Sequence, residues 1–136
     1  MPSKRPDRVL GAGHDEFWNW CKQDELRLQQ CKQCQKIAWP VVTYCEQCGS
    51  DQFDWTAMSG KGKVISWCTF EHDYYQGTFP IPHPTILVEL EEGPLFISNP
   101  CGFSLDDIQA NDAVNLTFIA CEDANGLYKL PLFKKA

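Results

Sequence analysis

Two Cys-x-x-Cys pairs, Cys31/Cys34 and Cys45/Cys48, separated by ten residues, constrain this chain more than any other feature. Each such turn aims two thiolates at one point, and two turns supply the four soft ligands of a tetrahedral metal site. Gly49, directly after the second pair, gives the backbone the freedom that a tight knuckle needs. The gap is shorter than most zinc spacings, yet long enough for a strand out and back through Ile37, Ala38, Trp39, Pro40, Val41 and Val42. Four thiolates leave no coordination position open. The metal is therefore expected to be structural zinc, with iron as the chemical alternative.

The other four cysteines, Cys21, Cys68, Cys101 and Cys121, are scattered singly. A chain of 136 residues that is 43% hydrophobic has enough apolar material for a core without disulfide staples, so they read as reduced thiols. Cys68 and Cys121 are expected to be small core residues, and Cys101, between Asn99-Pro100 and Gly102, to sit in a turn.

Around the knuckles the chain divides into an N-terminal arm and helix (1–24), a zinc ribbon (25–58) and a β domain (59–136). Phe17, Trp18 and Cys21 recur at helical spacing behind Asp15 and Glu16, which suit the first turn of a helix ending near Gln23-Asp24. Its aromatic face packs either on its own chain or on a partner, with Trp18 and Trp20 as anchors in the second case. Leu26 to Gln30 alternates like a strand leading into Cys31.

From Ser59 onward the pattern predicts five strands and one short helix: 63–70, 85–90, 95–98, the helix at 104–108, then 113–121 and 127–133. Ser104 is placed to cap the helix, and Asp106 and Asp107 stand in its first turn, so capping accounts for that carboxylate pair. Asn125-Gly126 predicts a hairpin. Three strands, a helix and two strands is the order of an OB barrel, which binds ligands on one face and with the loops after its first and fourth strands. The fold class is thus mainly β: an N-terminal helical arm, a rubredoxin-like zinc ribbon and a five-stranded OB-fold barrel with one short helix. The first loop, 71–84, is long and aromatic, and alternate prolines in Phe79-Pro80-Ile81-Pro82-His83-Pro84 predict a stiff extended stretch. The second, Glu122 to Asn125, is acidic.

Charge then separates the possible ligands. Residues 1–60 carry 7 basic and 8 acidic side chains, and residues 61–136 carry 5 and 10 with no arginine, for a net −6. A barrel that binds phosphate backbones needs cations beside its aromatics. This one has the aromatics without them, so a nucleic-acid partner is not expected and survives only as an alternative. No apolar run approaches the roughly 20 residues needed to cross a bilayer, and no apolar stretch follows the basic N-terminus. A cytoplasmic protein without a membrane partner is expected.

Phe17-Trp18, the run Glu25 to Cys34, Pro40, Cys45 to Ser50, Gly60 to Trp67 and Val88 to Pro94 together resemble the OB-fold, rubredoxin-like zinc-ribbon family of acyl-CoA-associated proteins, also called domain of unknown function thirty-five. The likeness runs from about His14 to Phe133. It implies a non-catalytic accessory subunit that joins a thiolase-like enzyme, including steroid side-chain aldolases, and supports acyl-CoA binding, assembly and activity there. A hetero-oligomer with two copies of each chain is the implied assembly, and a coenzyme A thioester the implied ligand. Tyr74, Tyr75, Phe79 and His83 are the candidate contacts to the acyl-CoA or the partner, although the aromatics equally suit covering the barrel's own mouth. The scarcity of cations implies contact with the pantetheine arm or acyl group, leaving the phosphates to the partner or to the N-terminal arginines. A stand-alone acyl-CoA carrier or sensor is the other alternative.

No catalytic set is legible. Cys68 and His72, four residues apart on a continuous strand, are separated by about 13 Å, too far for a base to activate the thiol. Cys101 has no neighbouring base in sequence. His14 and His83 read as solvated loop histidines or as reaching a partner's site.

Overall fold

The computed structural model describes residues 3–73 and 81–136. In chain order the elements are β1 (Ser3–Lys4), α1 (His14–Lys22), β2 (Arg27–Cys31), β3 (Ile37–Ala38), β4 (Phe53–Ala57), β5 (Lys61–Phe70), β6 (His83–Leu90), β7 (Leu95–Ser98), a 3-10 turn (Leu105–Asp107), β8 (Ala113–Asp123) and β9 (Gly126–Lys135).

Helix α1 buries Phe17 and Cys21, four residues apart on one face. Asp15 and Glu16 lie in its first turn and Lys22 in its last, which complements the helix dipole. Asp24, at φ 63, turns the chain away after the helix. The aromatic face packs on its own chain: the Phe17 ring lies 4.6 Å from Trp39, Trp18 meets Tyr128 edge-on at 5.2 Å, and Arg27 covers Trp20 at 4.0 Å.

The ribbon is a three-stranded antiparallel sheet in the order β3-β2-β4. Its return path is not the full strand expected, because only Ile37 and Ala38 join the ladder. Buried Gln29 takes over at Val42, donating Nε2 to its carbonyl at 3.1 Å and accepting its N–H on Oε1 at 2.9 Å. A side-chain amide mimics a ladder pair there, and among the described residues no buried side-chain nitrogen or oxygen is left without a partner.

The five strands β5 to β9 form an OB-like barrel. A meander β5-β6-β7 runs antiparallel, β8 returns beside β5 at Lys61 to Lys63, and β9 pairs along β8. Closure comes from a parallel bridge between Pro100 and Phe133, where Cys101 N–H donates to the Phe133 carbonyl at 2.8 Å. Gly62 permits the close approach of β5 to β6: a Cβ there would stand 2.6 Å from Val88 Cγ1 and 2.9 Å from the Glu89 carbonyl oxygen.

Ribbon and barrel share one core. Leu26 and Leu28 from the ribbon, Phe17 from the helix, and Val64, Val88, Phe96 and Phe133 from the barrel belong to one apolar cluster, and Trp39 stacks on Phe96 at 5.0 Å.

Three further expectations change. The arm contains a strand as well as a helix: β1 lies parallel to β8, with Ser3 opposite Cys121 and Lys4 opposite Glu122. His83 and Pro84 belong to β6 and not to an extended loop, which proline tolerates because it is the second residue of the strand, ahead of the β7 pairing that begins at Ile86. The acidic second loop is a turn confined to Ala124 and Asn125, with Glu122 and Asp123 inside β8 and Gly126 at φ 109 opening β9. Asp123 is bound by the arm and does not present a free acidic face.

Candidate functional sites: a four-thiol centre and an apolar cleft

The two knuckles repeat one hydrogen-bond pattern. Cys31 N–H donates to the Lys36 carbonyl at 2.8 Å, and Cys45 N–H to that of Ser50 at 2.7 Å. The N–H groups of Gln35 and Gly49 close the turns on the carbonyls of Cys31 and Cys45 at 2.9 and 2.8 Å. Both closing residues lie in the left-handed region, Gln35 at φ 68 and Gly49 at φ 79. Glycine meets that requirement without strain in the second knuckle, while Gln35 adopts it in the first.

This geometry brings all four Sγ atoms within 4.8 Å of one another, with Cys31–Cys48 and Cys34–Cys45 each at 3.5 Å. A tetrahedron with zinc–sulfur bonds of about 2.3 Å has edges of about 3.8 Å, so the thiol set fits one ion. Backbone N–H groups near Cys31 (those of Cys34 and Gln33) and near Cys45 (those of Cys48 and Gln47) lower both thiols below the ordinary cysteine range, whereas burial and the neighbouring thiols raise Cys34 and Cys48, so all four become thiolates together only around a cation. The Lys36–Glu46 ion pair ties the two knuckles together from outside. Four protein ligands complete the coordination, so such an ion holds the fold and offers no site to a substrate.

The second feature is a cleft of about 590 Å³ between the N-terminal arm and the barrel. Arg5, Pro6 and Arg8 wall one side, while β5, β6 and β7 contribute Trp67, Phe70, Leu87 and Ile97, with Tyr128 and Leu130 from β9. His83 lines it, as do Cys68 and His72. Tyr74, Tyr75 and Phe79 lie outside the described residues; their segment joins β5 to β6, two strands that line the cleft. His14 begins α1.

Cys68 is exposed, against the expectation of a core residue. Among the described residues, the end of β5 that carries it pairs with β6 but not with β8, so that edge of the sheet stays open. Because β5 stops at Phe70, Cys68 and His72 do not share one strand, although both side chains reach the cleft. Cys121 is buried as expected, and Cys101 is half-buried at the barrel closure.

The N-terminal arginines are engaged within the chain. Arg8 grips Asp123 with Nε at 2.7 Å and Nη2 at 3.3 Å, and its guanidinium lies 4.1 Å over the Tyr128 ring. That pairing holds the Asp123 carboxyl down to about 2. Arg5 Nη2 donates to Asn99 Oδ1 at 2.8 Å. Asn99 in turn donates Nδ2 to the Pro84 carbonyl at 2.7 Å and meets His83 Nε2 at 3.1 Å. Burial, and then the Arg5 charge, lower the His83 pKa. Asn99 escaped the sequence reading, and the N-terminal arginines entered it only as possible phosphate partners, because contacts spanning 94 to 115 residues leave no periodic signal.

The fold and the thiol centre define a class: a rubredoxin-like zinc ribbon fused to an OB-like barrel. Residues 18–54 match the family model described as "ChsH2, rubredoxin-like zinc ribbon domain". The chain is 29% identical over 132 residues to a Thermomonospora curvata protein named "Probable enoyl-CoA hydratase alpha subunit", covering 97% of this chain and 40% of that one. It is 31% identical over 85 residues to a Pyrococcus furiosus "DUF35 domain-containing scaffold protein", covering 59% of each. The chain therefore spans 40% and 59% of the length of these curated relatives. Among solved structures, the one named "Ltp2-ChsH2(DUF35) aldolase" superposes with a TM-score of 0.83 at 27% identity, over 95% of this chain and 98% of that one. A Sulfolobus solfataricus DUF35 structure shares the fold, with a TM-score of 0.58 at 17% identity over 78% of each chain. Residues 18–54 thus resemble a ChsH2-type ribbon, and the ribbon–barrel fold is like that of these DUF35 structures. No helix among the described residues is long and apolar enough to cross a membrane.

Proposed function

We propose that this chain is a non-catalytic accessory subunit that docks on a thiolase-like enzyme and supports acyl-CoA binding, assembly and activity there. The observation that carries the reading is the likeness to the aldolase structure bearing a DUF35 chain, at 27% identity over 95% of this chain. Zinc in the four-thiol centre holds the ribbon, and the cleft supplies apolar surface. Tyr74, Tyr75, Phe79 and His83 are the proposed contacts to acyl-CoA or to the partner. A cytoplasmic complex with two copies of each chain completes the proposal.

A second reading has one specific support, since the Thermomonospora relative is named as a hydratase subunit. In that case the partner is a hydratase-type enzyme.

Co-purification tests both. This chain alone is tagged and co-expressed in turn with a thiolase-like and a hydratase-type enzyme, and each eluate is assayed on acyl-CoA substrates. A stoichiometric complex with the thiolase-like enzyme, active only when both chains are present, is the expected result. A complex formed only with the hydratase-type enzyme moves the assignment to the second reading. No complex with either overturns the accessory role, and nucleic acid eluting in a salt-sensitive manner points to the nucleic-acid alternative.

A further inference from the structure

Strand β8 has two edges. β9 runs along one of them from Val114 to Asp123, so β5 and β1 share the other, β5 at Ala113 to Asn115 and β1 at Cys121 and Glu122. β5 has thus left β8 where the arm joins it, and the barrel is split between the end of β5 and the arm. The cleft occupies this split, with Arg5, Pro6 and Arg8 on one side and Ser66, Trp67, Cys68 and Phe70 on the other.

The split leaves a strand edge without a ladder. On the side away from β6, the last backbone bonds of β5 among the described residues are those of Val64. Its N–H donates to the Asp112 carbonyl at 3.0 Å, and its carbonyl accepts the Asn111 N–H at 2.7 Å. The register against β6 shifts between Val64 and Ser66, a bulge of the kind that bends a strand. Ser66 to Phe70 then pair with β6 alone among the described residues. In such a strand every second residue turns its N–H and C=O to the open side. Folded proteins blunt a free edge with lysine, another charge or proline. The first half of β5 carries Lys61 and Lys63, whereas Ser66-Trp67-Cys68-Thr69-Phe70 has no charge and no proline, and all five residues are exposed. An unblunted edge of this kind is a template for one more strand.

Shape and charge select the occupant. The arm walls the far side of the cleft, so two whole copies of this chain cannot bring these edges together, whereas one extended segment can enter. The open stretch of five residues is about 16 Å long, enough for a strand of equal length. Trp67, Phe70 and Ile97, which are 38%, 46% and 70% exposed, offer it apolar contact. No Asp or Glu lines the cleft among the described residues, although the chain carries 18 acidic against 12 basic side chains. Its charged lining is Arg5 and Arg8, and even with Arg8 balanced by Asp123 the field there disfavours a basic segment.

We propose, resting on the accessory reading, that the partner enzyme docks here by adding one extended segment to the open edge of β5. The segment is about five residues long, apolar at alternate positions and free of lysine and arginine. Main-chain hydrogen bonds to alternate residues of Ser66 to Phe70 give the hold, and Trp67, Phe70 and Ile97 give the side-chain contacts.

The test is hydrogen–deuterium exchange on the zinc-loaded full chain, alone and in complex with the enzyme that co-purifies with it. Alone, alternate amides of residues 66–70 should exchange as fast as loop amides. In the complex they should slow by about a hundredfold or more, together with one enzyme segment of the composition given above. Phe70→Glu should weaken the complex about tenfold or more, with zinc content and melting as in wild type. Leu127→Glu, at a residue 69% exposed and outside the cleft, should leave it unchanged. A complex in which residues 66–70 still exchange fast overturns this docking and leaves the accessory reading standing, whereas failure to form any complex overturns both. Amides already slow in the isolated chain show the edge filled by the chain's own residues, or by a second copy if the slowing grows with protein concentration; either result overturns the inference. So does a slowed enzyme segment rich in lysine or arginine, or a Phe70→Glu variant that binds like wild type.

Discussion

Replacing Arg8 with Met, Asp123 with Asn, and both together measures the clamp that holds the arm on the barrel. Asp123 has a side chain with no exposed surface, and it accepts the Arg8 N–H at 3.0 Å, Nε at 2.7 Å, Nη2 at 3.3 Å and the Asn125 N–H at 2.9 Å. A carboxyl moved from 3.8 to about 2 has gained about 2 kcal/mol of preference for its charged form. The pair lies just beneath the surface, so screening by water trims the coupling to about 1–2 kcal/mol. Each single variant should cost at least that much, since it leaves the other charge under-satisfied. Urea unfolding of the zinc-loaded proteins at pH 7 gives the four free energies of the cycle. Coupling below about 0.3 kcal/mol refutes the reasoning, because the additivity expected of unconnected sites would then hold. The sign with pH follows from a depressed folded pKa: the contribution is present above about pH 4 and is lost as pH falls towards 2. Arg8→Met should also make residues 1–13 more open to protease.

Two further outcomes follow from the shared core and the tight sheet. Stripping the metal with a chelator, or changing Cys34 to Ser, should lower one common melting transition by more than about 10 °C, because Leu26 and Leu28 of the ribbon sit in the same cluster as the barrel residues. A barrel transition that stays put after metal removal contradicts the single core. Gly62→Ala places a Cβ 2.9 Å from the Glu89 carbonyl and 2.6 Å from Val88, and should cost about 1–3 kcal/mol in urea unfolding. A cost under 0.5 kcal/mol would show that β6 yields easily there.

The thiol centre was legible because its ligands are local. Cys31 and Cys34, like Cys45 and Cys48, are brought together by a turn of four residues, and spacing alone states that geometry. Strands β5 to β9 were legible for a related reason, since β-branched and aromatic runs bounded by turn residues depend on near neighbours. Val42 shows where that logic fails: its apolar neighbours read as a strand, yet the backbone bonds to the side chain of Gln29, thirteen residues away. Cys68 fails for a different reason. Its apolar surroundings suggested burial, but exposure depends on whether another strand covers that end of β5, and β8 stops pairing at Lys63.

By itself the sequence determined helix α1, the five barrel strands and their order, the four-thiol centre, and the lack of cations that argues against a phosphate-backbone partner. These rest on short-range chemistry: turn geometry, period and charge. Tertiary structure alone decided that ribbon and barrel share one core, that Arg8 is spent on Asp123, and that the arm and barrel enclose an apolar cleft with Arg5, Asn99 and His83 in its wall. Each of these joins residues far apart along the chain, and only the closure of the fold selects such pairings from the many that composition allows.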